Sequence, residues 1–116
     1  MPSPARPRKA RILIPEKISP DGLALLSRYD VTQAALSPAE LLAQVGDYDA
    51  LVVRSETKVT ADVLRAGRNL KVVARAGVGV DNVDVGEATR LGVVVVNSPT
   101  GNIVAAAEHT IAREWL

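Results

Sequence analysis

The sequence of 116 residues contains no cysteine and a single histidine, His109. Disulfides and thiolate metal sites are therefore excluded, and so is a cluster of histidines that could hold a metal. Aromatic residues are scarce as well, since Tyr29, Tyr48 and Trp115 are the only ones. The core must therefore come from Val, Leu, Ile and Ala, a composition that suits parallel strands covered by helices on both faces.

The sequence also lacks an excess of charge of either sign. Its 14 Lys and Arg against 13 Asp and Glu give a formal net charge of +1, which offers no argument for a nucleic-acid or membrane partner. No apolar run approaches the roughly 18 residues of a transmembrane helix. Residues 1–10, rich in proline and basic residues, have no apolar stretch of the targeting type. We therefore expect a flexible basic leader over 1–10, followed by one compact cytoplasmic domain.

Apolar runs that end at turn residues alternate with helical patterns along the chain. The clearest predicted strand is 93–96, because four successive valines disfavour a helix and suit a buried sheet. Further strands are predicted at 11–14, 29–32, 50–53 and 71–74. With right-handed crossovers, this alternation predicts an α/β fold, a flavodoxin-like doubly wound parallel sheet of five strands with helices on both faces.

Several helix ends carry capping signals. Ser37 and Glu40 form a capping box with Pro38 at the first helical position, which predicts a helix through Gln44. Gly46 then follows, where a left-handed C-terminal cap belongs. The other predicted helices begin at Ser19, at Thr60 (ending at Gly67), at a second capping box of Asp84 and Glu87 (ending at Gly92), and at Asn102.

Ligands of doubly wound sheets bind outside the carboxyl ends of the strands, so the residues after each strand are the candidate site. Arg54 and Ser55 directly follow the strand 50–53. A guanidinium there is placed for bidentate contact with a carboxylate or phosphate. An ion pair of Arg54 with Glu56 or Asp81 that serves only the structure would explain it equally well.

The segment 75–82 follows the next strand and contains two glycines. Gly77 and Gly79 let backbone N–H groups turn toward an anion and let it come close. The segment is not a dinucleotide fingerprint, because Asn82 replaces the third glycine and no acid follows about 20 residues later. Arg75 places a second cation at a neighbouring strand end, which favours an anion-binding site. After the fifth strand, Ser98 or Thr100 could contact a small molecule, but a plain loop explains them at least as well.

Other functional classes lack their residues. A phospho-receiver domain needs acids at the ends of its first and third strands, where Pro15 and Arg54 stand. No G-x-x-x-x-G-K-[ST] loop is present, so the chain is not a P-loop nucleotide hydrolase. No nucleophile stands beside a base either.

Three segments in order resemble the D-isomer-specific 2-hydroxyacid dehydrogenases, and most closely the phosphoglycerate dehydrogenases among them. They are 51–60 (LVVRSETKVT), 75–84 (RAGVGVDNVD) and 94–102 (VVVNSPTGN), which runs on to AAEHT at 106–110. The resemblance implies a substrate-binding domain at 11–101 that faces an NAD-binding Rossmann domain across a cleft. Residues 102–116 would be the start of the interdomain helix, ending before that second domain.

The resemblance also implies roles for individual residues. The implied substrate-binding residues are Arg54, Ser55, Arg75, Gly77 and Asn102. Val78 would lie near the nicotinamide end of NAD. The catalytic arginine, glutamate and histidine of the family would lie beyond residue 116, and His109 would not replace the histidine. The resemblance therefore implies no catalytic or metal-binding residue here, no NAD bound by this chain alone, and no turnover in isolation.

The implied ligand is a small anionic 2-hydroxy acid, preferably phosphorylated, such as 3-phosphoglycerate. Two alternatives remain open. The chain could be part of another 2-hydroxyacid dehydrogenase, acting on glycerate or lactate for example. It could also be a non-catalytic binding module that forms homo-oligomers or associates with full-length subunits through Val104, Ile111 and Trp115.

Overall fold

The computed structural model describes residues 10–17, 29–54, 56–76 and 81–98. The strands in these ranges are β1 (Arg11–Ile14), β2 (Asp30–Gln33), β3 (Ala50–Val53), β4 (Val72–Ala76) and β5 (Val94–Ser98). The helices are α1 (Pro38–Gln44), α2 (Ala61–Ala66) and α3 (Val85–Leu91), with a 3-10 helix at Val45–Asp47 directly after α1. The helices predicted from Ser19 and from Asn102 lie outside the described residues.

The five strands form one parallel sheet in the order β2-β1-β3-β4-β5. The predicted parallel sheet and its flavodoxin-like order are thus confirmed. The strands β2, β4 and β5 each begin one residue later than predicted, and β4 and β5 run two residues further. The extension follows from pairing, because Val53 is opposite Arg75, and Arg75 is opposite Asn97. The ends of β3, β4 and β5 therefore lie side by side.

Alternate strand residues enter two buried clusters, one on each face of the sheet. On one face, Leu13, Leu51 and Val73 pack with Leu41 of α1, Val63 and Leu64 of α2, and Ala88 of α3. The other face presents Ile12, Ile14, Ala50, Val52, Val72 and Ala74. All three described helices share one face because the connections through them all cross the sheet in the same direction, and right-handed crossovers then keep them on one side.

The capping box that begins α1 is confirmed, but the predicted role of Gly46 is wrong. The Ser37 Oγ accepts a bond of 3.2 Å from the Glu40 N–H, and the Glu40 carboxylate accepts one of 2.8 Å from the Ser37 N–H. Gly46 lies within the 3-10 helix, and among the described glycines only Gly92 has a positive φ, 78°. A Cβ at Gly46 would stand 3.0 Å from the carbonyl oxygen of Ala66. Glycine at this position therefore allows the two segments to approach closely.

The second predicted capping box, at the start of α3, is only half formed. The Asp84 carboxylate accepts a bond of 3.0 Å from the Glu87 N–H, as predicted. The N–H of Asp84 donates instead to the carbonyl oxygen of Val59, at 2.9 Å. The Glu87 carboxylate is engaged by Arg90 at 2.6 Å and by Arg65 at 3.0 Å. Gly92 ends α3, as expected, and adopts the left-handed conformation.

Candidate functional site

The two arginines singled out in the sequence reach the same edge of the sheet. Arg54 is the first residue after β3, and its side chain is exposed. Arg75 lies inside β4, opposite Val53, and is only 7% exposed. Among the described residues, the structure records no ion pair of Arg54 with Glu56 or Asp81. The purely structural explanation for Arg54 therefore finds no support there.

The remaining predicted site residues cannot be placed against these two. Ser55, Gly77, Val78 and Asn102 all lie outside the described residues. Their proposed contacts stay predictions. The described part of the predicted site is therefore the pair Arg54 and Arg75, together with the segments that hold them.

Asn82 is the side chain that joins the two arginines. It is 6% exposed, and its Nδ2 donates to the carbonyl oxygens of Arg54 and Thr57, each at 2.7 Å. Its Oδ1 accepts a hydrogen bond from the Nε of Arg75. The sequence marked Asn82 only as a residue where a dinucleotide turn would have glycine. No local pattern marks these contacts, because Arg54 and Thr57 are 28 and 25 positions away in the sequence.

Glu16 supports the same loop from the opposite side of β3. The residue follows β1, which is the neighbour of β3 in the sheet, and it is 6% exposed. Its Oε2 accepts hydrogen bonds from the backbone N–H groups of Arg54, at 2.7 Å, and Thr57, at 3.1 Å. Sequence reasoning missed Glu16 because it considered only Pro15 at the end of the first strand.

A groove of about 690 Å³ lies beside Arg54, between the loops that follow β1, β2 and β3. Its cationic lining residues are Lys17, Arg54 and Lys58, and its acidic ones are Glu16, Glu56 and Asp62. Leu36, Leu41 and Val63 supply apolar lining. Glu16 uses its Oε2 for two backbone N–H groups, so part of the acidic charge at this groove is already engaged.

The largest electrostatic effect on a described carboxylate lies on α3. The hydrogen bond from Arg90, helped by Arg65, lowers the pKa of Glu87 to about 2. Within the described ranges, no group of three or more His, Cys, Asp or Glu side chains could hold a metal ion. No helix of the described residues is long and apolar enough to cross a membrane.

Comparison with known proteins bears on the whole chain. A family model described as the catalytic domain of the D-isomer specific 2-hydroxyacid dehydrogenases matches residues 12–114. The chain is 50% identical over 106 residues to a D-3-phosphoglycerate dehydrogenase from Synechocystis sp., an alignment that covers 89% of this chain and 19% of that relative. The chain thus spans about a fifth of that relative's length.

Solved structures share the fold. The PH0520 protein from Pyrococcus horikoshii superposes with a TM-score of 0.75 at 30% identity, covering 90% of this chain and 32% of that one. A 3-phosphoglycerate dehydrogenase from Entamoeba histolytica, solved with NAD+ bound, gives a TM-score of 0.71 at 23% identity, covering 90% and 37%. At 23% identity, the similarity to this second structure shows a shared fold alone. Because the family model matches residues 12–114, most of this chain, the chain belongs to the D-isomer-specific 2-hydroxyacid dehydrogenase family.

Proposed function

We propose that this chain is the substrate-binding part of an NAD-dependent oxidoreductase that converts 3-phosphoglycerate to 3-phosphohydroxypyruvate, the first step of serine biosynthesis. The observation that carries the proposal is the exposed guanidinium of Arg54 at the end of β3, with Arg75 opposite the last residue of that strand. The 50% sequence identity to a D-3-phosphoglycerate dehydrogenase supports 3-phosphoglycerate as the substrate.

In this proposal the chain binds and orients the substrate. The rigid fork of Arg54 donates two parallel hydrogen bonds to a carboxylate or phosphate, which fixes the orientation of the anion as well as its position. Arg75, Ser55, Gly77 and Asn102 complete the substrate contacts. Cytoplasmic location and homo-oligomers or association with full-length subunits belong to the same proposal.

The described residues do not fit the pyrophosphate of NAD. Where a dinucleotide turn carries its third glycine, this chain carries Asn82, whose buried side chain is fully engaged with Arg54, Thr57 and Arg75. NAD binds a second domain in this proposal, and the contact of this chain with it is confined to Val78.

The proposal is tested by titrating the isotopically labelled chain with 3-phosphoglycerate and following its backbone amide signals by NMR. We expect saturable shifts for the amides around Arg54 and Thr57, and no shifts with glycerol, the uncharged control. Glycerate and lactate in parallel titrations decide whether a phosphate is needed. Absence of any shift at millimolar 3-phosphoglycerate would contradict substrate binding by the chain.

Turnover is measured separately, as NADH formation by the same chain with 3-phosphoglycerate and NAD. We expect none, because the described part of the site contains binding groups and no proton-transfer pair. Steady NADH formation by the purified chain would overturn the assignment of catalysis to a second domain.

A further inference from the structure

Two buried side chains from distant parts of the chain hold the loop that carries Arg54. The Oε2 of Glu16 accepts hydrogen bonds from the backbone N–H groups of Arg54, at 2.7 Å, and Thr57, at 3.1 Å. Asn82 donates to the carbonyl oxygens of the same two residues, each at 2.7 Å. The loop is thus fixed at two residues, and at each of them both backbone polar groups are engaged.

The chemistry of the two side chains matches these partners. An ionised carboxylate only accepts hydrogen bonds, so Glu16 suits a pair of N–H groups. A primary amide has two donors on one nitrogen and an acceptor on its oxygen, so Asn82 suits two carbonyls and a guanidinium at once. Each side chain is 6% exposed, so little water is available to replace these bonds.

Asn82 is itself anchored by its backbone. The N–H of Val59 donates to the carbonyl oxygen of Asn82 at 2.8 Å, and the N–H of Asp84 donates to the carbonyl oxygen of Val59 at 2.9 Å. Val59 and Val83 form an isolated parallel bridge. A short second ladder therefore joins the segment after β3 to the segment after β4, and it fixes the position from which Asn82 reaches the loop.

We propose that Glu16 and Asn82 are positioning residues for the substrate anion, which they control through Arg54 without touching the ligand. Glu16 fixes the loop from the β1 side, and Asn82 sets the backbone of Arg54 relative to the guanidinium of Arg75. The two arginines then meet an anion at a fixed separation, which reduces the ordering cost of binding. The proposal rests on the proposed function, in which Arg54 binds the anion.

The binding test uses Glu16→Gln and Asn82→Ala in the complete chain, with 3-phosphoglycerate as the probe. Each variant should weaken binding about tenfold, because Glu16→Gln turns two charge-assisted hydrogen bonds into neutral ones and Asn82→Ala removes three hydrogen bonds that order the site. Two matched controls come from the opposite edge of the sheet. Asp49→Asn alters a buried carboxylate that accepts the N–H of Arg11 at 2.8 Å, and Asn69→Ala removes an amide that donates to the carbonyl of Gly46 at 2.8 Å. Both controls should retain wild-type affinity.

A double-mutant cycle separates positioning from general stability. If Asn82 acts mainly through Arg54, Asn82→Ala should weaken binding clearly less in an Arg54→Ala background than in the wild-type background, the remaining effect passing through Arg75. Equal losses in the two backgrounds, or unchanged affinity in both Glu16→Gln and Asn82→Ala, would overturn the proposal. Where Glu16→Gln fails to fold, Glu16→Asp replaces it, because the shorter carboxylate keeps its charge and loses its reach.

We call the hydrogen bonds by which Glu16 and Asn82 hold Arg54 and Thr57 the clamp. Hydrogen exchange without ligand tests the clamp even if 3-phosphoglycerate does not bind. The amides of Arg54 and Thr57 should be protected in the wild-type chain and should exchange at least about tenfold faster in Glu16→Asp, whose shorter carboxylate no longer reaches them. Free exchange of both amides in the wild type would refute the clamp whatever the ligand result. Protected amides with no response to 3-phosphoglycerate would contradict the proposed substrate, and with it the positioning role, while leaving the clamp as a structural feature.

Discussion

Both edges of the sheet use one acidic and one amide side chain to bind backbone groups, but they differ in whether a nearby arginine is left exposed to a ligand. At the amino edge, the buried Asp49 binds the backbone of Arg11, and Asn69 binds the carbonyl of Gly46. At the carboxyl edge, Glu16 and Asn82 hold the backbone of the loop after β3 in the same manner. An acid and an amide therefore close the backbone hydrogen bonds at both ends.

The difference lies in the nearby arginines. The Arg11 guanidinium at the amino edge pairs with Asp30 at 3.5 Å and stands over the ring of Tyr48, 5.0 Å from its centroid. The exposed side chain of Arg54 at the carboxyl edge has no recorded ion pair with a described residue. Similar hydrogen bonds to the backbone thus stabilise the fold at the amino edge and hold the exposed cation of Arg54 at the carboxyl edge.

The largest expected effect is on stability at the amino edge. Asp49→Ala should lower the free energy of unfolding by about 2–3 kcal/mol, because it leaves the N–H of Arg11 without its charged acceptor. Urea denaturation measures the loss, and the affinity of the folded fraction for 3-phosphoglycerate should not change. If Asp49→Ala changed the free energy of binding more than the free energy of unfolding, the amino edge would also serve binding, and the two edges would not differ in function.

Next in size is the effect of the exposed cation on binding. Arg54→Ala should weaken 3-phosphoglycerate binding about 10- to 100-fold, the equivalent of one charge-assisted contact of about 1.5–3 kcal/mol. Arg11→Ala removes the same charge from the opposite edge and should leave affinity unchanged. Calorimetry or NMR titration compares the two variants directly. Equal losses would show that net charge, and not the position of Arg54, controls binding.

A smaller effect is expected from Gly92, where the chain passes from α3 toward β5. Its φ of 78° disfavours any residue with a Cβ, although nothing lies within 4 Å of that position. Gly92→Ala should therefore cost about 1 kcal/mol through backbone conformation alone. Thermal unfolding measures this cost. Gly86→Ala is the control, because Gly86 lies inside α3 without positive φ, and alanine there should be neutral or stabilising.

The smallest effect expected is the dependence of stability on acid. The hydrogen bond with Arg90, with Arg65 also contributing, holds the pKa of Glu87 at about 2. Stabilisation from a carboxylate of lowered pKa is complete above its unfolded pKa and is lost as pH falls toward the folded value. Between about pH 4.5, the ordinary pKa of a glutamate, and about pH 2, the melting temperature of the wild type should therefore fall more steeply than that of Glu87→Gln. High salt should reduce the difference, because these ion pairs are on the surface.

The sheet could be predicted because its signals are local. Valine runs and capping residues place the strands, and their alternation with helices indicates a doubly wound sheet, whose common flavodoxin-like order supplied the strand order. The cap at Gly46 was mispredicted because glycine after a helix serves equally for a left-handed turn and for close approach. Only the position of the Ala66 carbonyl, a neighbour in space, distinguishes them.

The described site could be predicted only in part. Arg54 and Arg75 are visible because strand ends of a parallel sheet converge at one edge. The roles of Glu16 and Asn82 are not visible, because Glu16 binds residues 38 and 41 positions away, and Asn82 binds residues 28 and 25 positions away. The half-formed capping box at Asp84 has a similar cause, since a distant carbonyl takes the N–H that the box requires.

The three partners of Asn82 restrict which residue can occupy that position. Rotating the amide by half a turn would set its oxygen against two carbonyl oxygens and its NH2 against a guanidinium, so only one orientation is compatible with the contacts. Aspartate has the same shape without the two donors, and glutamine has the donors on a longer stem. We therefore expect saturation mutagenesis selected for ligand binding to recover asparagine alone at this codon, while the neighbouring surface codons accept many residues.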